Sequence, residues 1–100
     1  MTDLLKASKP ENESPEARLK RMSMRSWRRG TKEMDLILGP FADARLATLD
    51  EATLDLYDAL LEENDQDLYP WVSGTKPCPT EYLELLTVIA RFAQERHGTA

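Results

Sequence analysis

The feature that most narrows the fold is a period. Met34, Ile37, Leu38 and Phe41 recur at i, i+3, i+4 and i+7, and Tyr82, Leu85, Leu86, Ile89, Phe92 and Ala93 form a second stripe of the same kind. That spacing lines one side of an α-helix, whereas one face of a strand needs a period of two. No window alternates apolar and polar residues between turn signals, so no strand is expected. A chain of 100 residues makes one domain around one modest core. The prediction is an all-α protein: a compact bundle of four or five short helices in a single domain.

Local signals place the helices. Ser14-Pro15-Glu16 is a start, with Ser as N-cap, Pro at the first helical position and Glu on the positive end of the dipole. This helix should reach Trp27 or Arg28, turning Leu19 and Met22 inward with Ser26 or Trp27. Gly30 interrupts it, and Thr31 or Gly30 caps the next. Pro40 cannot donate to the carbonyl of Leu36, so a kink or break is expected at Gly39-Pro40. Thr48-Leu49-Asp50-Glu51 fits a capping box with Thr48 as N-cap. The helix after it should bury Leu54, Tyr57, Leu60 and Leu61, leave Asp55, Asp58, Glu62 and Glu63 in solvent, and end at Asn64-Asp65. Residues 67–72 read as a short helical turn that drops Leu68 and Trp71 onto the core. Residues 73–79 are a loop by composition. Thr80-Glu81 opens a last helix that His97-Gly98 closes. Residues 1–13 lack periodicity and read as a flexible N-terminal tail, which leaves 14–97 as the helical domain.

Charge and cysteine content exclude several classes. The net charge is −5, which gives no general attraction to nucleic acid or to an anionic membrane. One cysteine, Cys78, cannot form an internal disulfide, and with the single histidine, His97, it is too few for a structural zinc site. No stretch nears the roughly 20 apolar residues of a membrane span. The N-terminus has no apolar signal-peptide core, and Asp3, Glu11, Glu13 and Glu16 do not suit a mitochondrial leader. The expectation from these signals is a bacterial cytoplasmic protein. Basic residues crowd Arg18 to Lys32 and acidic ones Asp50 to Asp67, so a molecule polarised into two faces is also expected.

Chemistry concentrates in Arg28-Arg29-Gly30-Thr31-Lys32-Glu33. Gly30 permits a turn at positive φ and close approach of another chain. Free N–H groups of the next helix open there. Arg29 offers a planar fork to a carboxylate, phosphate or carbonyl. Glu33, one turn on, either holds Arg29 or accepts a bond from a partner. The structural alternative is a plain helix junction, with Gly30 as N-cap, Glu33 at N3, and both arginines in solvent.

The segment Arg29-Gly30-Thr31-Lys32-Glu33-Met34-Asp35 resembles the Arg-Gly-x-x-Glu motif of the succinate dehydrogenase assembly factor family. Leu38, Pro40-Phe41, Leu46, Leu49-Asp50 and Leu60-Leu61-Glu62 continue the resemblance. So does Asp65-Gln66-Asp67-Leu68-Tyr69-Pro70-Trp71, which is similar to the family's Asp-x-Asp-Leu-x-x-Trp segment. The match covers about Arg18 to Phe92. It implies a five-helix assembly factor, chaperone-like and not an enzyme. Such a factor binds the flavoprotein subunit of succinate dehydrogenase or fumarate reductase and promotes covalent attachment of FAD to a histidine of that partner. It implies a partner-binding site of Arg29, Gly30, Glu33 and Asp35, which Arg28 and Trp27 would extend. No metal is implied, and FAD would be handled through the client and not bound tightly. A monomer that contacts no nucleic acid and inserts in no membrane is expected. The alternative is a small helical nucleic-acid-binding or general adaptor protein using the basic segment Arg18 to Lys32. An enzyme is the weakest reading, since no nucleophile–base pair or phosphate loop is present.

Overall fold

A computed structural model describes residues 13–97. The expected tail, apart from Glu13, lies outside the described residues. Among these there are five α-helices and no strand: α1 (Pro15–Trp27), α2 (Lys32–Arg45), α3 (Glu51–Leu60), α4 (Asp65–Ser73) and α5 (Leu83–His97). Short 3-10 turns, Leu46–Thr48 and Thr80–Tyr82, lead into α3 and α5.

Helix α1 starts as its sequence directs: the Ser14 hydroxyl accepts from the N–H of Ala17 at 3.1 Å. It buries only Met22 and Ser26 fully. A buried serine needs partners. The Ser26 hydroxyl meets the Met22 carbonyl at 2.8 Å and the Tyr57 hydroxyl at 2.7 Å. Burial pushes the Tyr57 phenol up to about 12 from its ordinary 10.0, against smaller opposing pulls from Ser26 and from the charge of Arg29. The fold therefore favours the neutral phenol. Its contribution is complete below pH 10 and declines as pH rises toward 12, at ~1.4 kcal/mol per pH unit. Urea midpoints between pH 9 and 12 should show this fall. Tyr57→Phe should flatten it in part, because Tyr82 is also raised to about 12, by burial and by its bond to Glu63.

Helix α2 does not break at Gly39-Pro40; it is continuous from Lys32 to Arg45. Proline removes one hydrogen bond, but Leu38, Gly39, Pro40, Phe41 and Ala42 are buried in succession. Packing on this segment outweighs the missing bond. The core gathers Met22, Met34, Leu38, Phe41, Tyr57, Leu60, Leu61, Leu68 and Ile89 at or below 1% exposure. Phe41 is its aromatic centre, tilted against Tyr57 at 5.8 Å and edge-on to Phe92 at 5.7 Å.

Three local expectations need correction. Asp50, and not Thr48, caps α3: its carboxylate accepts from the Thr53 N–H at 2.8 Å. Thr48 sits two residues early and turns its hydroxyl onto the Arg45 carbonyl. The Thr53 side chain and N–H hold the Asp50 carboxyl below its usual range. Next, α4 is a nine-residue helix and not a single turn; Asp65 opens it, and Pro70 falls inside without ending it. Gly74, at φ +84°, closes it in the left-handed conformation that favours glycine.

The third correction concerns charge. The basic and acidic blocks do not form two outward faces; they face each other. Arg18 meets Asp55 at 2.5 Å, Arg21 meets Asp58 at 2.8 Å, Arg25 meets Glu62 at 2.9 Å and Arg29 meets Asp65 at 2.9 Å. The sequence separation is 37, 37, 37 and 36 residues. This near-constant offset means that α1 and the acidic segment run in the same direction. Asp58 was expected on an outer face, yet its residue is only 5% exposed, beneath Arg18 and Arg21. Arg21, held between Asp58 and Glu13, is pushed still further above its ordinary range.

Candidate functional site

The corner between α1 and α2 carries the motif. Gly30 has φ +106°, and a Cβ placed there would meet nothing within 4 Å. Glycine is therefore required by the backbone conformation and not by crowding. The turn is held on both sides. The Arg29 N–H donates to Asp35 Oδ1 at 2.7 Å. The Thr31 hydroxyl accepts from the Met34 N–H at 3.3 Å, which makes Thr31 the N-cap of α2. Glu33 is thus the second residue of α2, not the third position of a box capped by Gly30.

Arg29 points inward. Its guanidinium donates to Asp65 Oδ1 at 2.9 Å, to the Leu61 carbonyl at 2.6 Å and to the Glu63 carbonyl at 2.6 Å. Only 8% of its side chain is exposed. The carbonyls follow the end of α3, where a cation is favoured. Arg29 therefore ties the motif corner to the α3–α4 connection. Of the two roles open to Glu33, holding Arg29 falls to Asp65 instead.

The remaining residues divide in the same way. Asp35 lies beneath the turn as an acceptor. Arg28, Lys32 and Glu33 are exposed. They make no side-chain hydrogen bond or ion pair with any described residue. Trp27 is partly exposed; its indole N–H donates to Asp43 Oδ2 at 3.2 Å, and its ring covers Gly39. The structure thus brings Arg28, Gly30, Lys32 and Glu33 to the surface, with Arg29 and Asp35 as the frame under them.

Sequence reasoning missed Asp65, Gly39 and Asp43. Asp65 lies in the family-like segment, but its local signals give only a helix end, and no local spacing links residues 29 and 65. Gly39 beside Pro40 signals a helix break, and nothing local shows that an indole lies over it. Among the described residues no group of three or more His, Cys, Asp or Glu side chains could hold a metal ion. No described helix is long and apolar enough to cross a membrane.

Comparison with known proteins follows the motif. The profile of a family described as "Flavinator of succinate dehydrogenase" matches residues 20–95. The chain is similar to the mitochondrial succinate dehydrogenase assembly factor 2 of Mycosarcoma maydis, at 38% identity over 72 residues, which is 72% of this chain and 30% of that protein. The protein of that name from Drosophila grimshawi is 38% identical over 96 residues, covering 83% of this chain and 65% of its own length. The one from Candida glabrata is 37% identical over 90 residues, covering 85% and 59%. The chain thus spans between about a third and two thirds of these relatives. All three are named as mitochondrial proteins of eukaryotes, which overturns the expectation of a bacterial cytoplasmic protein. The acidic residues behind that expectation describe only the first residues of this sequence.

Proposed function

The chain belongs to the family of flavinators of succinate dehydrogenase, and from that membership we propose that it binds a dehydrogenase's flavoprotein subunit and promotes covalent attachment of FAD to a histidine of that subunit. Succinate dehydrogenase is the first client and fumarate reductase the second. The chain acts as a binding partner and contributes no catalytic group; FAD is reached through the client.

One observation carries this reading beyond the family resemblance. Arg28, Lys32 and Glu33 stand free at the surface around Gly30, while Arg29, Asp35 and Asp65 lock the backbone below. A recognition surface held rigid before binding loses less entropy on association. Such a surface favours the client conformation it fits, and so shifts the client toward the state in which flavin and histidine react. The nucleic-acid alternative is weakened, because four of the seven basic residues of that segment, Arg18, Arg21, Arg25 and Arg29, already face carboxylates.

The test is covalent flavin in the succinate dehydrogenase flavoprotein subunit, read by in-gel fluorescence. The fluorescent band should vanish when the gene is deleted. Wild type should restore it, and Gly30→Arg should not. The strained backbone at φ +106° makes Gly30→Arg cost ~1–2 kcal/mol of stability, so its melting curve is recorded alongside. A band that persists through deletion would end this reading.

A further inference from the structure

We infer that a groove beside the motif, formed where α2 and α4 begin, receives a basic side chain of the partner, arginine in preference to lysine. This rests on the functional reading above and names the chemistry the client must present. The groove has a volume of about 260 Å³ and is lined by Thr31, Glu33, Met34, Asp65, Gln66 and Tyr69. That is below the roughly 300–1,000 Å³ of sites that hold a whole small-molecule ligand. It suits one long side chain.

The lining has two chemistries. Met34, 1% exposed, forms an apolar floor, and Tyr69, 45% exposed, leaves its ring uncovered on one wall. Two carboxylates, Glu33 and Asp65, stand at the same opening, and no cation lines it. Asp65 is engaged by Arg29 at 2.9 Å and, more loosely, by Thr31 at 3.5 Å. Glu33 is engaged by no described residue.

Two helix N-termini open here, and on their own they would favour an anion. Their first turns already carry Glu33 and Asp35 in α2 and Asp65 and Asp67 in α4. The site is therefore not built for a phosphate or a carboxylate. A purely apolar plug would strip water from Glu33 and give it no partner. A long basic side chain meets both demands: its stem covers Met34 and Tyr69 while its charged end reaches Glu33. Guanidinium fits better than ammonium because it is planar, can bond a carboxylate through two N–H groups and stacks on an aromatic face.

The test has two arms, both on the full chain. In the first, the ¹⁵N-labelled protein is titrated with N-acetyl-arginine amide and with its neutral isostere N-acetyl-citrulline amide. The arginine compound should give saturable shifts at Glu33, Gln66 and Tyr69, lost in Glu33→Gln, and the citrulline compound should not. Equal responses to both, or shifts elsewhere, overturn the assignment. In the second arm, affinity for the purified flavoprotein subunit is measured. Glu33→Gln should weaken it about tenfold, the size of one lost charge-assisted hydrogen bond, and flatten its salt dependence. Gln66→Lys, which places a competing cation in the groove, should weaken it more. Both positions are exposed, so unchanged melting is the control for folding. Unchanged affinity in both variants overturns the inference. If the wild type binds no flavoprotein subunit, the functional reading fails, and the arginine titration still decides the groove.

Discussion

Arg29→Ala should melt on the order of 15 °C below wild type. The side chain is almost fully buried and donates to one carboxylate and two backbone carbonyls. Its removal leaves Asp65 without its cation and two carbonyls without a donor. Removing one member of a buried ion pair costs ~3 kcal/mol or more. In a domain of this size each kcal/mol lowers the melting temperature by about 4–8 °C. Arg29→Lys should fall between, because a single ammonium cannot reach three acceptors arranged around a planar fork. Thermal denaturation followed by circular dichroism checks both variants. A variant with normal melting and lost flavinylation would instead make Arg29 a direct contact of the client. Loss of activity at this position therefore has meaning only beside a melting curve, a caution that does not extend to the exposed Glu33.

Gly39→Val should be nearly as damaging, through a different cause. A Cβ at Gly39 would lie 2.3 Å from Trp27 Cδ2, 2.4 Å from Cε2 and 2.6 Å from Cε3. These atoms belong to a rigid ring, so the whole indole must leave α2. Overpacking of this kind costs ~1–3 kcal/mol, and valine adds a branched β-carbon in a helix. The expected loss is ~2–3 kcal/mol. Trp27 fluorescence should shift to the red as the indole enters water, measured in a Trp71→Phe background. The companion prediction reverses sign. Once Trp27 is cut to alanine, Gly39→Ala should stabilise the protein by up to ~1 kcal/mol, because only helix propensity remains. If Gly39→Ala destabilises equally with and without the indole, Trp27 is not what the glycine accommodates.

What was legible in the sequence is what depends on period and on local caps. The stripes of α2 and α5, the Ser14 start of α1, and the loop before α5 were all readable because each is decided within a few residues. The Asp50 cap was misplaced by two because Thr48 and Asp50 are both strong caps, and only the path of the chain out of α2 chooses between them. The continuity of α2 through Pro40 was illegible because buried neighbours supply it, and burial is not a local property. The inward turn of Arg29 was hidden for the same reason. Its three acceptors lie more than thirty residues away, so a sequence motif that looks like a contact surface proves to include part of the scaffold.

The parallel ladder of α1 against the acidic segment has a consequence for register. Its rungs repeat at nearly one helical turn. A slide of one turn would bring Arg18 to Asp58, Arg21 to Glu62 and Arg25 to Asp65, again arginine against carboxylate. Arg18 already reaches toward Asp58 at 3.7 Å. The ladder therefore draws the two segments together without fixing where they stop. Ser26 and Tyr57 do that: their buried hydrogen bond has no equivalent after such a slide, because Ser26 would then face Leu61, which has no polar group. In this protein attraction is repetitive and alignment is unique, and the two are assigned to different side chains of the same helix.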